Sequence, residues 1–280
     1  MFDKASRKVK YAIEYMYSYH RHLPYSIFSV IDYILLKHSM KFKESSQRYI
    51  LTSIPNGLKV LIPNKDSFIR SYCATYGEIF IMKIYDKLSD FRPREEDVVL
   101  DAGAFIGLYT LKVATIVKKV YSVEPHPLSF LLLKYNCLVI NKFHNVIPIN
   151  VALHTIDGYI TLHEDVRLVS SSSVKKISDY RSKRKTIRVS SRSLDSLYRS
   201  GLIKYPISLA KVDIEGSEYE FLKGASESLE RGLIQRIIME IHTQYVNYKN
   251  ITKLLRTYGF KIVYIVNYDS NIIVYARTSR

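Results

Sequence analysis

From residue 97 to the end of the chain, short runs of β-forming residues alternate with segments whose apolar residues recur at helical spacing. The runs include VVLD at 98–101, VYSVE at 120–124 and ISLAKVDIE at 207–215. Parallel neighbours in a sheet need a long crossover connection, so this alternation is typical of a parallel sheet covered by helices on both faces. The last two runs, FKIVYIVNY and NIIVYAR, are joined by a turn too short for a helix and must be antiparallel. We therefore predict an α/β fold whose sheet ends in an antiparallel hairpin.

The segments outside this alternation divide the chain into parts. We predict a basic helical appendage at residues 1–60 and an α/β domain at residues 61–280. Within the domain, residues 165–192 are rich in serine and then in basic residues, and we predict that they form an excursion between sheet elements. Within the appendage, residues 25–43 carry an apolar helical face followed by lysines. Such a face most often packs on its own domain, and the alternative is peripheral contact with an anionic membrane. The Asn56-Gly57 turn signal predicts a small hairpin, and apolar spacing predicts a helix over 75–90.

The net charge of +16 indicates either an anionic partner or a solvated basic surface without a specific role. Lysines and arginines between 175 and 192 contribute much of the excess and could bind an anionic acceptor or nucleic acid. Cys73 and Cys137 are the only cysteines, which argues against a disulfide scaffold and a zinc module. The chain shows no signal peptide and no apolar run approaching the ~20 residues of a membrane span, so we expect a cytoplasmic protein.

The stretch LDAGAFIG joins the first strand of the alternation to its helix. Gly103 and Gly107 allow a tight turn, and Asp101 lies at the carboxyl end of the strand, where open α/β sheets bind ligands. Glu124 ends the next strand, where a carboxylate can accept hydrogen bonds from both hydroxyls of a ribose. These landmarks indicate a nucleoside cofactor. The G-x-G-x-x-G of nicotinamide and flavin sites is absent, and Phe105 occupies the place of its middle glycine, which favours S-adenosylmethionine.

Polar residues at alternating positions end two later strands. KVDIEG places Asp213 and Glu215 on the same side of a strand end, and MEIH repeats the spacing with Glu240 and His242 on the strand expected alongside. Methyl transfer needs positioning of the acceptor and removal of its proton, so these four side chains are the catalytic candidates. Two alternatives stay open: some of them cap helices, or two carboxylates and the His hold a divalent cation that binds the acceptor oxygen.

Five segments, in this order, resemble the FkbM-type S-adenosylmethionine-dependent methyltransferases. They are VVLDAGAFIGLYT, VYSVEPHP, SRSLDSL, LAKVDIEGSEYEFLKGA and IIMEIH, and the resemblance covers roughly residues 75–275. It implies the Rossmann-like, seven-stranded sheet of class I methyltransferases with a terminal antiparallel hairpin. It also implies methyl transfer to oxygen, commonly to a hydroxyl of a sugar or of a secondary metabolite.

The resemblance also implies roles for individual residues around S-adenosylmethionine. Glu124 would hold the ribose, with Pro125 and His126 beside it, and Asn150 and Val151 would border the adenine. The residues expected around the methionine and sulfonium part are Asp101, Gly103, Ala104, Phe105 and Gly107, of which Phe105 stands where the family usually carries Asn.

Three functions remain as hypotheses from the sequence. The first is an O-methyltransferase that acts on a sugar, a glycan or a small metabolite. The second is an RNA methyltransferase on the same fold, which the charge of +16 and the basic residues at 175–192 favour. The third is a non-catalytic nucleoside-binding protein, which the presence of Asp101, Glu124 and Asp213 disfavours.

Overall fold

The computed structural model of the chain describes residues 48–165, 169–175, 184–268 and 270–278. The strands, numbered in chain order, are β1 Tyr49–Ser53, β2 Lys59–Pro63, β3 Val98–Ala102, β4 Lys119–Val123, β5 Val146–Ile149, β6 Ala152–Leu153, β7 Gly158–Asp165, β8 Arg184–Arg192, β9 Leu209–Val212, β10 Arg236–Ile241, β11 Phe260–Tyr268 and β12 Asn271–Thr278. The helices are α1 Asp66–Tyr76, α2 Leu108–Ala114, α3 Pro127–Lys134, α4 Leu194–Arg199, α5 Glu218–Gly224, α6 Ser226–Glu230 and α7 Tyr248–Thr257.

Seven strands form one central sheet in the order β11-β12-β10-β9-β3-β4-β5. The neighbours from β10 to β5 are parallel, whereas β12 is antiparallel to both β10 and β11. From β3 the chain first adds β4 and β5 on one side of the sheet and later adds β9 and β10 on the other side. The carboxyl ends of β3 and β9 therefore border the crevice where open sheets of this kind bind ligands. The predicted Rossmann-like, seven-stranded sheet with a terminal antiparallel hairpin is confirmed.

Two layers of helices cover the sheet, which explains why its strands read as continuous apolar runs. All five residues of β3 are buried, and they alternate between layers: Val99 packs with one hydrophobic cluster, and Leu100 with the other. The first cluster contains residues of α1, α2 and α3, and the second contains residues of α4, α5, α6 and α7. The core is therefore a three-layer sandwich with the site-bearing strand ends at one edge.

The predicted hairpin is present as β1 and β2, on either side of a short turn at Pro55–Gly57. Val60 and Ile62 of β2 are buried in the first cluster, and the Asn136 side chain links the hairpin to the domain by accepting from Leu61 N at 2.8 Å. The boundary that we predict at residue 60 falls within this hairpin. The predicted helix within 25–43 lies outside the described residues.

The predicted helix over 75–90 is wrong in its position. The helix is α1, which continues into a π-helical turn at Gly77–Ile81 and ends before Lys83, where φ is +50°. The apolar residues that follow serve another purpose: Ile84 and Tyr85 are buried although they lie outside any helix. The periodicity therefore reported burial correctly but not backbone conformation.

The excursion at 165–192 is only partly a loop, because its last nine residues form β8. This strand pairs with β7 in antiparallel and with β6 in parallel fashion, which makes a separate three-stranded sheet. Val189 packs with Leu162 and Ala152 in a small core of this sheet. The interspersed basic residues concealed the period-two pattern of the strand from the sequence prediction.

At the edge of the central sheet opposite to the crevice, a buried ion pair connects the start of β10 with the residue before β3. Arg236 Nη2 lies 2.6 Å from Asp97 Oδ1, and Arg236 Nη1 donates to Asp90 O at 2.8 Å.

Cys73 and Cys137 are buried and do not form a disulfide. Among the described residues, no helix combines the length and the apolar character needed to cross a bilayer.

Candidate active site

A cavity of about 370 Å³ opens at the carboxyl ends of the central strands. Its volume lies in the range of small-molecule sites. The lining includes ten of the residues predicted from the sequence, namely Gly103, Ala104, Phe105, Glu124, Pro125, Val151, Asp213, Glu215, Glu240 and His242. The other four predicted residues, Asp101, Gly107, His126 and Asn150, do not line the cavity.

The two glycines of the β3–α2 turn are required for steric reasons. Gly103 has a φ of +77°, and a Cβ there would lie 1.8 Å from the backbone oxygen of Asp213. Gly107 has a φ of +96° and precedes α2; a Cβ there would lie 2.8 Å from Leu133 Cδ1. Gly103 thus lets the turn after β3 touch the turn after β9, whereas Gly107 lets α2 pack closely on α3.

The backbone N–H groups of this turn are already used within the protein. The N–H groups of Gly103 and Ala104 both donate to Val123 O at 3.0 Å, and that of Gly107 donates to Ala104 O at 2.9 Å. Phe105 N donates to Glu124 Oε2 at 2.8 Å. A pyrophosphate would need such N–H groups to point at it, so this geometry suits a nucleoside without a diphosphate bridge.

Glu124 lies at the end of β4, with its carboxylate fixed by two backbone donors. Oε2 accepts from Phe105 N, and Oε1 accepts from His126 N, both at 2.8 Å. Burial raises the pKa of Glu124 to about 7, although the two backbone hydrogen bonds and the Lys211 charge oppose this shift. A carboxylate has about four acceptor positions. Two positions therefore remain for the hydroxyls of a ribose in the cavity.

Phe105 is held in an unusual backbone conformation next to Glu124. Its φ is +51°, and its ring stacks on Phe68 of α1 with the centroids 6.0 Å apart. Asn tolerates this left-handed region better than most residues do, so the Asn that the resemblance implies at this position would suit the same backbone. In this chain the Phe105 side chain is buried against Phe68 and also lines the cavity.

Asp101 is fully buried beneath the cavity, where it organises other residues instead of forming the wall. Its Oδ2 accepts from the Thr110 hydroxyl at 2.7 Å, and its Oδ1 lies 3.4 Å from Lys211 Nζ. Lys211 Nζ also donates to Gly103 O at 2.9 Å and lies 3.4 Å from Asp213 Oδ2. Lys211 therefore joins the turn after β3 to the turn after β9, a role that the sequence pattern did not reveal.

The remaining predicted cofactor residues build the loop after β4. Pro125 and Val151 line the cavity, whereas the Asn150 side chain donates to Glu124 O at 2.8 Å and to Pro125 O at 3.2 Å. His126 caps α3, because its Nδ1 accepts from Ser129 N at 3.2 Å. Burial lowers the pKa of His126, which keeps the ring a suitable acceptor for this cap.

The four predicted catalytic residues all meet at the cavity. His242 Nε2, at the end of β10, lies 3.2 Å from Glu215 Oε2 and 3.9 Å from Asp213 Oδ1. Glu215 has a φ of +52°, and this left-handed conformation in the β9–α5 turn directs the chain towards His242. The pKa of Glu215 is raised to about 8, first by burial and then by neighbouring carboxylates, against the opposing effect of His242.

Glu218 orients His242, and the sequence prediction did not include it. This fully buried carboxylate accepts from Gly216 N at 2.9 Å and lies 2.9 Å from His242 Nδ1. Burial opposes the charged form of His242, but Glu215 and Glu218 outweigh it and raise the pKa of the ring well above its usual value. The only signal for Glu218 was its place in the first turn of α5, which a simple helix start would equally explain.

Tyr85 and Asn271 hold Glu240 in place. Asn271 donates to Glu240 Oε1 at 2.8 Å, while the Tyr85 hydroxyl lies 3.3 Å from Glu240 Oε2 and 3.2 Å from Asp213 Oδ2. Burial, followed by the Asp213 charge, raises the pKa of Glu240 to about 7. One hydroxyl proton can serve only one of the two carboxylates at a time. Tyr85 comes from the irregular segment after α1, where no motif marks it.

The predicted serine-rich segment also reaches the site. Ser170, Ser171 and Ser172 line the cavity, and the Ser173 hydroxyl donates to the backbone oxygen of Glu215. This serine segment therefore contacts the β9–α5 turn, and it forms one wall of the cavity together with residues of β6 and β7, namely Ala152, Leu153, Leu162 and Asp165.

A family model described as "Methyltransferase FkbM domain" matches residues 101–262. The chain belongs to the FkbM methyltransferase family. This match begins at Asp101 and runs into β11, so it includes every predicted site residue. The membership confirms the resemblance that the five sequence segments indicated.

A curated relative is the hexuronic acid methyltransferase AglP of Haloferax volcanii. It is 32% identical to this chain over 161 residues, which are 58% of this chain and 62% of AglP. The chain thus spans less than two thirds of the length of that relative.

Two solved structures are similar at lower identity. Methyltransferase FkbM from Methylobacillus flagellatus KT is 12% identical, with 74% of this chain and 54% of that chain covered and a TM-score of 0.48. TYW2 of M. jannaschii, solved in complex with AdoMet, is 15% identical, with 83% of this chain and 87% of that chain covered and a TM-score of 0.46.

Proposed function

We propose that this FkbM-family chain is an S-adenosylmethionine-dependent methyltransferase that methylates a hydroxyl oxygen of a sugar, a glycan or a similar small metabolite. The observation that carries the proposal is that one cavity is lined by the Glu124 carboxylate and by the cluster of Asp213, Glu215, Glu240 and His242. The first feature suits a ribose, and the second suits an acceptor that must lose a proton. The name of AglP, a hexuronic acid methyltransferase, supports a sugar as the acceptor.

The residues around Glu124 fit the nucleoside part of S-adenosylmethionine. Glu124 has acceptor positions for ribose hydroxyls, and Pro125 and Val151 add apolar surface to the same cavity for the adenine. The N–H groups of Gly103, Ala104, Phe105 and Gly107 are occupied within the protein, which disfavours a dinucleotide. When bound, S-adenosylmethionine supplies an electrophilic methyl group: the acceptor oxygen forms the new C–O bond as the C–S bond breaks and its electron pair stays on sulfur.

The acidic cluster supplies positioning and a destination for the acceptor's proton. Lys211 and Tyr85 fix Asp213, while Glu218 fixes His242. Glu215 Oε2 lies 3.2 Å from His242 Nε2, so the ionised Glu215 carboxylate, whose pKa is raised to about 8, can take the proton that leaves the acceptor hydroxyl. The contribution expected from such proton transfer is about 10²- to 10⁴-fold in rate.

Calorimetric titration of S-adenosylmethionine and S-adenosylhomocysteine tests the cofactor. Wild-type protein should bind both, and Glu124→Ala should bind them at least about tenfold more weakly, because it loses the two ribose acceptors. Folded wild-type protein that binds neither ligand but binds NAD would contradict the proposal.

Transfer of a labelled methyl group to a panel of acceptors tests the substrate class. The panel should contain neutral sugars, uronic acids and RNA, each offered at low and high salt. We expect labelled sugar from wild-type protein and at least about 100-fold less from Asp213→Asn. Labelled RNA with steep salt dependence, and no labelled sugar, would replace the proposal with the RNA methyltransferase hypothesis.

A further inference from the structure

We propose that Asp213, Glu215 and His242 bind a divalent cation at the floor of the cavity, where the ion would hold adjacent oxygen atoms of the acceptor. The role of the ion in holding the acceptor rests on the proposed function, whereas the binding site itself does not.

The distances in the cluster match the spacing of ligands around one ion. One ligand atom of each residue lies within 4.8 Å of the other two, and His242 Nε2 lies 3.2 Å from Glu215 Oε2 and 3.9 Å from Asp213 Oδ1. Metal–ligand bonds of about 2.0–2.2 Å place ligands of a tetrahedral or octahedral ion about 3–4 Å apart. Small side-chain adjustments are therefore enough to bring the three atoms onto a common centre.

The orientation of His242 is that of a metal ligand with a supporting carboxylate. Its Nδ1 lies 2.9 Å from Glu218 Oε1, which also accepts from Gly216 N and is thereby fixed. When an ion replaces the Nε2 proton, a ring whose Nδ1 proton is donated to this buried carboxylate presents the lone pair of Nε2 to that ion. Metal-binding His residues are almost always held in this way, and the supporting group sets the tautomer and the ring plane.

The charges around this position leave an excess of negative charge in a buried region. Five carboxylates belong to the network, and only two side chains in it can be cationic; the carboxylates are Asp101, Asp213, Glu215, Glu218 and Glu240, and the cationic groups are Lys211 and His242. Asp101, Glu218 and Glu240 are buried and Asp213 and Glu215 are partly buried, and carboxylates grouped in this way are stable only if protons or bound cations neutralise them. A divalent ion at the three ligands would provide that neutralisation and would leave Lys211 with Asp101.

A second feature of the same wall indicates that something polar belongs there. Ser217 follows the catalytic turn, lines the cavity and is 2% exposed, yet its Oγ has no hydrogen-bond partner within the described protein. Buried hydroxyls rarely lack a partner. A water molecule on the ion, or an oxygen atom of the acceptor, would complete the hydrogen bonding of this group.

The ligand set indicates the class of ion and the class of acceptor. Two carboxylate oxygens and one imidazole nitrogen suit Mn²⁺, Mg²⁺ or Zn²⁺. Three protein ligands leave positions open for two oxygens of one acceptor, as in a vicinal diol or in a hydroxyl beside a carboxylate. Binding to the ion makes such a hydroxyl more acidic, and each monodentate carboxylate keeps its second oxygen for the released proton.

Titration of Mn²⁺ into chelator-treated, full-length protein tests the site without any assay of methyl transfer. Free Mn²⁺ is followed by electron paramagnetic resonance in wild type, Asp213→Asn, His242→Gln and Glu218→Gln. We expect a single high-affinity ion in wild type and binding weakened about 10- to 100-fold in each variant. The matched control is His144→Ala, which removes an exposed His that precedes β5 and does not line the cavity; this variant should bind Mn²⁺ as wild type does.

The test separates this inference from the proposed function. Near-ultraviolet circular dichroism and thermal melting first establish that each variant is folded, without reference to any cofactor. Mn²⁺ binding that is absent in wild type, or unchanged in both His242→Gln and Asp213→Asn, would overturn the cation site even if methyl transfer is found. Mn²⁺ binding that depends on the cluster would support the site even if no acceptor is methylated.

Discussion

Binding of S-adenosylmethionine should strengthen as the pH rises from 6 to 8, because Glu124 must lose its proton. Burial places the pKa of this carboxyl at about 7, with the opposing Lys211 charge and the reinforcing Asp101 charge as smaller effects. Only the ionised carboxylate can accept from both ribose hydroxyls while it keeps its two backbone donors. About one tenth of such a group is ionised at pH 6 and about nine tenths at pH 8, so the dissociation constant should fall about tenfold.

Isothermal titration of wild type and Glu124→Gln at several pH values measures this effect. The amide has nearly the same volume but does not titrate, so the variant should bind weakly and lack the Glu124 contribution to the pH dependence. Other groups in the cavity, among them Glu215 and Glu240, titrate in both proteins. The difference between the two curves therefore isolates Glu124. Parallel curves for wild type and variant would refute the assigned role of this carboxylate.

The same group should affect the stability of the ligand-free protein in the opposite direction. The pKa of Glu124 is raised from 4.5 to about 7 in the folded state, so folding favours its protonated form. Its contribution to stability is therefore fully present below pH 4.5 and is lost as the pH rises through 7. Relative to Glu124→Gln, wild type should lose at most about 3 kcal/mol of unfolding free energy across this range, measurable by urea titration.

Three further substitutions test separate parts of the structure. Gly103→Ala places a methyl group 1.8 Å from the Asp213 backbone oxygen, so we expect loss of S-adenosylmethionine binding and a melting temperature lowered by several degrees; wild-type binding would contradict the contact. Tyr85→Phe removes the hydroxyl between Asp213 and Glu240 and should lower kcat for transfer of the labelled methyl group about tenfold. Its affinity for S-adenosylmethionine, measured by calorimetric titration, should change little. Asp97→Ala leaves the buried Arg236 without its carboxylate partner and should cost about 3–5 kcal/mol in chemical denaturation, whereas an unchanged midpoint would show that the ion pair is not stabilising.

The sequence predicted those parts of the fold that follow from local pattern. The central strands were located by short β-runs that alternate with helical segments. These runs are visible because strands buried on both faces read as continuous apolar segments. The terminal hairpin followed from the lack of room for a crossover between β11 and β12. By contrast, β8 was missed, since Arg188 and its basic neighbours alternate with the apolar positions Ile187 and Val189 and made the segment resemble a solvated loop.

The site was predictable where chemistry and position coincide in one short stretch. Asp213 and Glu215 follow the end of β9, while Glu240 and His242 lie at the end of β10 and directly after it, and parallel strand ends meet at one edge of the sheet. Tyr85 was not predictable, because it reaches the cavity from an irregular segment whose path depends on the tertiary packing of Ile79 and Ile84. The contacts of Asp101 with Thr110 and of Lys211 with Gly103 and Asp213 were also not predictable, because they join segments that are far apart in the sequence.

The contact of Gly103 with the Asp213 backbone has a consequence for attempts to change the acceptor. The turn at 101–107 and the turn at 211–217 are in van der Waals contact and share Lys211, so a graft that replaces only one of them would disturb the other. The sheet formed by β6, β7 and β8 supplies a wall of the same cavity through a different set of contacts. Under the proposed function, we therefore expect that exchange of that sheet between relatives, with the paired turns left intact, changes the acceptor with less disturbance than exchange of either turn.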